Sequence, residues 1–307
     1  MRAVWSFWSK PFQGYMGLTW HEPLHHLLAW GLSLRLARRY YPETMLVTDC
    51  AGAALLVDQL GLSFTHVSTD LERIRKVDPG WWTMGKLMAY SLQDRPFVHL
   101  DTDVFLWKPL PRRLTEAPVF SQCPEEHHPV DEWCGARDLE NAFARHGLAL
   151  PAEWQWLRAS DTYDARQENC GILGGTHVDF LRYYANSVMS LLTSPLNAAV
   201  WADIPEKAGF NPVIEQFTLS AFVRYHRAHP ESPYRDVDIG HLFPSFMDAY
   251  NSNVAARLGF THLLGPSKKD PIIVGRLEQR VRREDPKYYR HCVWLNRNRE
   301  LLAGAGD

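Results

Sequence analysis

The sequence has no uninterrupted apolar stretch of the ~18 residues that a membrane-spanning helix requires, so no membrane span is expected. Its start, "MRAVWSFWSKPFQGY", lacks the sustained apolar core of a secretory signal and is not expected to be one. Cysteine is scarce. The five residues Cys50, Cys123, Cys134, Cys170 and Cys292 are odd in number and contain no C-x-x-C pair. That argues against a disulfide framework or a structural zinc site and for a reducing, cytoplasmic location. Charge of one sign is also lacking: 33 Lys and Arg face 35 Asp and Glu, for a net charge of -2 and a pI near 6.7. Without a global basic field, nucleic acid is not an expected partner. No internal repeat, low-complexity linker or G-x-G-x-x-G dinucleotide fingerprint occurs.

What is present reads as a folded chain, with 46% hydrophobic and 22% charged residues. Aromatic residues are plentiful, at 12 Trp, 12 Tyr and 14 Phe. Rings at this density fill cores, and they also line grooves in which sugars and bases stack. The first 110 residues alternate between strand-like and helical patterns. Strands are expected over 2–9, 44–50, 63–68 and 96–106, and helices over 21–40, 52–61 and 84–93. In the first helix Leu24, Leu28, Leu32 and Leu36 recur at four-residue steps on one face. This rhythm predicts an α/β fold with a mostly parallel, Rossmann-like sheet and helices on both faces, whose ligands bind at the carboxyl ends of the strands. Residues 111–168 follow no regular pattern, and helices resume over 178–192 and 211–226. One continuous domain over 1–307 is expected, with a nucleotide-binding half (1–110), an irregular acceptor-side insertion (111–168), a second half (169–275) and a C-terminal helical tail (276–307). The tail contains "GRLEQRVRREDPKYYR" (275–290), which is more basic than acidic and allows at most peripheral membrane contact.

Four short motifs carry polar residues that need an explanation. In "VHLDTDVFLWKPL" (98–110), Asp101 and Asp103 interrupt an otherwise buried run at the end of the fourth strand. Burying an unpartnered carboxylate is costly, and a hard divalent cation would neutralise the pair while leaving positions open for phosphate oxygens. A turn or helix cap is the alternative. Without a cation the two carboxylates should repel, so replacing Asp103 by Ala is expected to leave stability unchanged or raised. In "THLLGPSKKDP" (261–271), His262 can ligate a metal, Gly265 admits close approach of a ligand and Lys268 suits phosphate; a surface loop is the alternative. In "ENCGILGG" (168–175), Asn169 offers both ends of an amide to a polar substrate. Glu215 and Gln216 form a polar pair in the apolar "PVIEQFTLSAF". His127, His128 and Asp131 offer a weaker, hydrolase-like metal set, because neighbouring side chains point different ways on regular structure.

Taken in order, "LDTDVFLWKPL", "NCGIL", "EQFTL" and "HLLGPSK" resemble the motifs of family 8 of the glycosyltransferases, which have the GT-A fold. The likeness covers roughly residues 2–270. It implies a hexosyltransferase-like enzyme that moves a sugar from a nucleotide-diphosphate sugar, a UDP-sugar by the family's pattern, to an acceptor with retention of configuration. It further implies that Asp101, Asp103 and His262 hold Mn²⁺ or Mg²⁺ and that Lys86, Asp101, Thr102, Asp103, Gly265 and Lys268 form the donor site. Gln216, Glu215 and Asn169 would face the chemistry. The acceptor is open: a glycan, a lipid-linked sugar, a peptide or a small molecule, with Trp133, Trp154 and Trp156 as candidate groove residues. Two departures stand out. No acidic residue follows the first strand, and Glu215 stands where the family has Asp. A nucleotidyltransferase on the same fold and a non-catalytic nucleotide-sugar-binding protein are the alternatives.

Overall fold

The structure is a computed structural model that describes residues 1–14, 19–126, 135–160 and 166–298. In chain order the first half runs β1 (Arg2–Phe7), α1 (Pro23–Ala37), β2 (Thr44–Thr48), β3 (His66–Ser68), α2 (Met84–Ser91), β4 (Phe97–Leu100) and β5 (Val104–Leu106). The middle holds β6 (Val119–Ser121), β7 (Pro124–Glu126), α3 (Ala136–Arg145), α4 (Ala152–Ala159) and β8 (Arg166–Glu168). Then come β9 (Ile172–Gly175), α5 (Val178–Thr193), α6 (Thr218–Ala228), β10 (Ile239–His241), α7 (Ser252–Leu258), β11 (Phe260–His262), α8 (Pro271–Glu284) and α9 (Pro286–Arg297).

A seven-stranded sheet in the order β10-β6-β9-β4-β1-β2-β3 forms the centre. Its strands are parallel except β9, which runs antiparallel between β4 and β6. Helices cover both faces, which is the expected α/β class. The pleat explains the two-sided burial. Along β1, Val4 packs with α2 and α5 on one face, while Ala3, Trp5 and Phe7 pack with α1 on the other. Among the described residues no helix is long and apolar enough to cross a membrane.

Several expected elements differ in detail. The run 96–106 is two strands in two different sheets, β4 and β5, separated by Asp101-Thr102-Asp103. The stretch 111–168 is not irregular over its described residues. It supplies β6 to the central sheet, the antiparallel pair β7 and β8, a four-residue helix at Arg112–Thr115, and α3 and α4. Its strands have only three residues each, too short for a period of two to show in the sequence. The tail is a helix pair that begins at Pro271 and breaks at Asp285, whose side chain caps α9 through the Tyr288 N–H.

Candidate functional site

The turn between β4 and β5 is where the site begins. β4 pairs with β9 as far as Leu100, and the Asp101 N–H then donates to the Gly171 carbonyl at 3.0 Å. The chain turns, with the Val104 N–H on the Asp101 carbonyl at 3.0 Å, and leaves the central sheet. β5 pairs antiparallel with β11, setting Val104 opposite His262, and the Leu263 N–H donates to the Asp103 carbonyl at 3.0 Å. That ladder brings a histidine from late in the chain beside the aspartate turn. Lys268 arrives on the short 3₁₀ turn Gly265–Lys268, held through its carbonyl by the His21 N–H at 2.8 Å.

The charges are sorted into two groups. The Lys86 Nζ lies 3.1 Å from an Asp101 oxygen and 3.1 Å from Glu215 Oε1, and it donates to the Cys170 carbonyl at 2.9 Å. The Tyr90 hydroxyl donates to the same Glu215 oxygen at 2.7 Å. On the other side the Lys268 Nζ donates to Asp103 Oδ2 at 2.7 Å, and His262 Nε2 lies 3.4 Å from Asp103 Oδ1. Burial pushes the Asp101 carboxyl up against the pull of Lys86, and the neighbouring Asp103 adds to the rise. Burial acts on Asp103 in the same direction, but Lys268 and His262 together outweigh it and hold that carboxyl well below the usual carboxylate range. Glu215 is raised by burial, which Lys86 only partly offsets. Burial would lower the Lys86 ammonium, yet Asp101 and Glu215 reverse that and keep it charged.

Asp101, Asp103 and His262 each offer one ligand atom, all within 4.8 Å of one another. The imidazole is oriented for that use. A Gln122 amide oxygen can only accept, so His262 Nδ1 donates to it at 2.7 Å, and the ring is held with Nε2 facing Asp103 Oδ1 at 3.4 Å. Gly171 makes room for the ring: a Cβ there would sit 2.3 Å from His262 Cε1 and 2.6 Å from Gln122 Oε1. The donor set of two carboxylates and one imidazole fits a divalent metal of the Mn²⁺ or Mg²⁺ kind.

These groups open into a cavity of about 280 Å³ at the carboxyl ends of β1 and β4. Thr102, Asn169, Gln216 and Gly265 line it together with the three candidate ligands and both lysines. Gly265 has φ +45 with open space beside it, so a non-glycine residue would be strained there. Trp8, Phe12, Trp20 and Trp82 supply aromatic surface.

Several expected residues are placed differently from what their roles would suggest. Glu215 is fully buried and does not line the cavity. The chain enters α6 through a π-helical turn at Val213–Phe217, which turns Glu215 inward to Lys86 and Tyr90 and leaves Gln216 on the cavity wall. Asn169 lines the cavity with part of its amide already engaged: its Nδ2 donates to Glu125 Oε1 at 2.6 Å and its Oδ1 accepts from the Gly171 N–H at 2.9 Å, which leaves one donor and one acceptor position. Trp154 is a core residue packed edge-on against Phe217, and Trp156 packs on Tyr225 and His229 away from the cavity. Trp133, His127, His128 and Asp131 lie outside the described residues. Sequence reasoning did not single out Gln122 or Tyr90. Neither sits in a recognisable motif, and each acts only through a residue distant in the chain.

The sequence pattern of one protein family, described as a family of unknown function (DUF6734), matches residues 1–295. No curated protein matches. Among solved structures, the crystal structure of galactosyltransferase LgtC in complex with donor and acceptor sugar analogues is similar, at 13% identity and a TM-score of 0.39 over 92% of this chain and 95% of that one.

Proposed function

The chain belongs to DUF6734, a family of unknown function, and for it we propose a glycosyltransferase that takes a sugar from a nucleoside-diphosphate sugar, a UDP-sugar by the motif pattern, with a divalent cation. The observation that carries this reading is the meeting of Asp101, Asp103 and His262 with Lys268 and Lys86 at one cavity. A cation bound by the first three, Mn²⁺ or Mg²⁺, would neutralise the charge that develops on a leaving diphosphate. Lys268 is then free to exchange its ion pair with Asp103 for one with a phosphate oxygen. Gly265, with open space at its Cα, lets backbone come close to the same group. Lys86 stays between Asp101 and Glu215 and fixes the aspartate's orientation. The Gln216 Oε1 is buried without a hydrogen-bond partner among the described residues and lies at the cavity wall, which suits a hydroxyl of the bound sugar.

We assign retention of anomeric configuration. Gln216 is an amide and cannot take a proton from an acceptor, and Glu215 is withdrawn from the cavity. The bond from the anomeric carbon to phosphate oxygen breaks, the bond to the acceptor oxygen forms on the same face, and the acceptor proton passes to the departing phosphate oxygen. Acceptor choice is assigned to residues of the 111–168 stretch.

Calorimetry of UDP with and without Mn²⁺ tests the core of the proposal. Each should raise the affinity for the other about tenfold or more, as coupled ligands at one site do. UDP affinity indifferent to a chelator would sink it. Proton NMR of the first-formed product tests retention, because a β-linked product from an α-linked donor would exclude it.

A further inference from the structure

Behind β11 lies a second, larger cavity of about 760 Å³, a size typical of sites for organic ligands. Phe105, Trp107, Phe260, Leu263 and Leu277 make much of its wall apolar. Three cations, Lys108, Arg276 and Arg280, line it as well, and no carboxylate does among the described residues. The Lys108 Nζ donates to the Arg257 carbonyl at 2.9 Å, a neutral acceptor that leaves its charge unbalanced. Arg276 is exposed and has no hydrogen bond or ion pair among the described residues. Arg280 lies 4.4 Å over the Trp107 ring and keeps one ion pair, to Glu284 at 3.2 Å. Arg276 and Arg280 stand one turn apart on α8, so their guanidinium groups leave the same helix face.

An apolar wall with cations and no acid is complementary to an anion that carries a hydrocarbon chain. Guanidinium pairs match phosphate geometry well, and three positive charges suit a dianion better than a monoanion. We propose that this cavity binds an amphiphile with a single apolar chain and a phosphate head group. Its wall includes Gln122 and His262, so the occupant lies against the pair that orients a candidate metal ligand. The inference goes beyond sugar transfer and does not depend on it, because its cations and apolar wall belong to other residues.

Calorimetry with decyl phosphate, decanoate and decanol, in the absence of metal and nucleotide, separates chain from head group. Decyl phosphate should bind at least about tenfold more tightly than decanol, the gain expected of charge-assisted hydrogen bonds, and more tightly than decanoate. Inorganic phosphate alone should bind far more weakly than decyl phosphate. Arg276→Ser should remove most of the preference for phosphate while decanol binding persists. Ala256→Phe, from an exposed position that lines the cavity, should abolish binding of all three. Ser252→Phe, also exposed and lining, provides a second filled variant should the first fold poorly. No binding of decyl phosphate, equal binding of decanol or decanoate, or binding that survives a folded filled variant would each overturn the proposal.

Discussion

Asp103 is the residue on which the candidate site turns, and its environment reverses the expectation that its loss would be harmless to stability. The carboxylate is 5% exposed and held by Lys268 at 2.7 Å with His262 close by. Repulsion between the two carboxylates falls on Asp101, which it raises, and Asp101 is separately held by Lys86. Removing one member of a buried ion pair strands the other, at a cost of roughly 3 kcal/mol. Asp103→Ala should therefore lose Mn²⁺-dependent nucleotide binding and also lower the midpoint of urea unfolding at pH 7; an unchanged or raised midpoint would restore the repulsion argument. The sign of the pH dependence follows from the depressed pKa. The unfolded carboxyl titrates near pH 4 and the folded one below it, so this stabilisation is complete above about pH 4 and is lost as pH falls further. Asp101, whose pKa is raised, works the other way and is relieved by protonation. The acid limb of stability against pH should thus flatten in Asp103→Asn and steepen in Asp101→Asn.

At the scale of elements, β9 and the residue before it carry two glycine requirements of different kinds on one short segment. A Cβ on Gly174 would lie 2.0 Å from the Phe97 carbonyl oxygen, and backbone in the middle of a sheet cannot move aside. One on Gly171 would meet the His262 ring, a side chain that can. Gly174→Ala should cost about 3 kcal/mol in denaturant unfolding, at the upper end of overpacking costs. Gly171→Ala should cost only about 1 kcal/mol yet weaken Mn²⁺ binding about tenfold or more by displacing an oriented ligand. If both variants lose stability equally and metal binding follows stability alone, His262 is not a ligand. The contrast also marks how far the sequence could be read. The alternation of β1, β2 and β4 with helices was legible because each element is long enough to show its period, and Asp101-Thr102-Asp103 was legible because carboxylates are out of place in an apolar run. The insertion of β9 between β4 and β6 was not, since strand order depends on pairing between distant segments. The inward turn of Glu215 was hidden for another reason. A π-helical turn shifts the facing of every residue after it, and nothing in "PVIEQFTLSAF" announces one. The bond from the Asn169 amide to Glu125 was hidden because Glu125 belongs to a strand of three residues.

At the scale of the whole molecule, the last two helices return to the first. α8 begins three residues after Lys268, and α9 follows it back across α1. Two ion pairs and a hydrogen bond mark the contact: Arg35 with Asp285, Arg39 with Glu284 at 2.9 Å, and His25 Nε2 donating to Glu278 Oε1 at 2.9 Å. The two arginine pairs are partly exposed and contribute little each. The tighter hold is steric. Tyr288 sits in a notch made by the absent side chain of Gly31, where a Cβ would lie 2.1 Å from its ring, and its hydroxyl donates to the Leu27 carbonyl at 2.6 Å. Cys292 and Leu295 are buried behind it. Gly31→Ala should therefore destabilise the protein by about 2 kcal/mol, since the ring must leave the notch or α1 must shift. Tyr288→Ala should cost a similar amount by emptying it. The two changes should not add. With the ring gone, the extra methyl at position 31 meets no obstacle, and helix propensity favours Ala over Gly by about 1 kcal/mol, so the double variant should be no less stable than Tyr288→Ala alone. The coupling energy from the full cycle should then be about 2–3 kcal/mol in magnitude, within the range for residues in contact. Strict additivity would mean that the tail is held by its charges rather than by the notch, and that α8 and α9 are clamped to the first half of the chain by something other than shape.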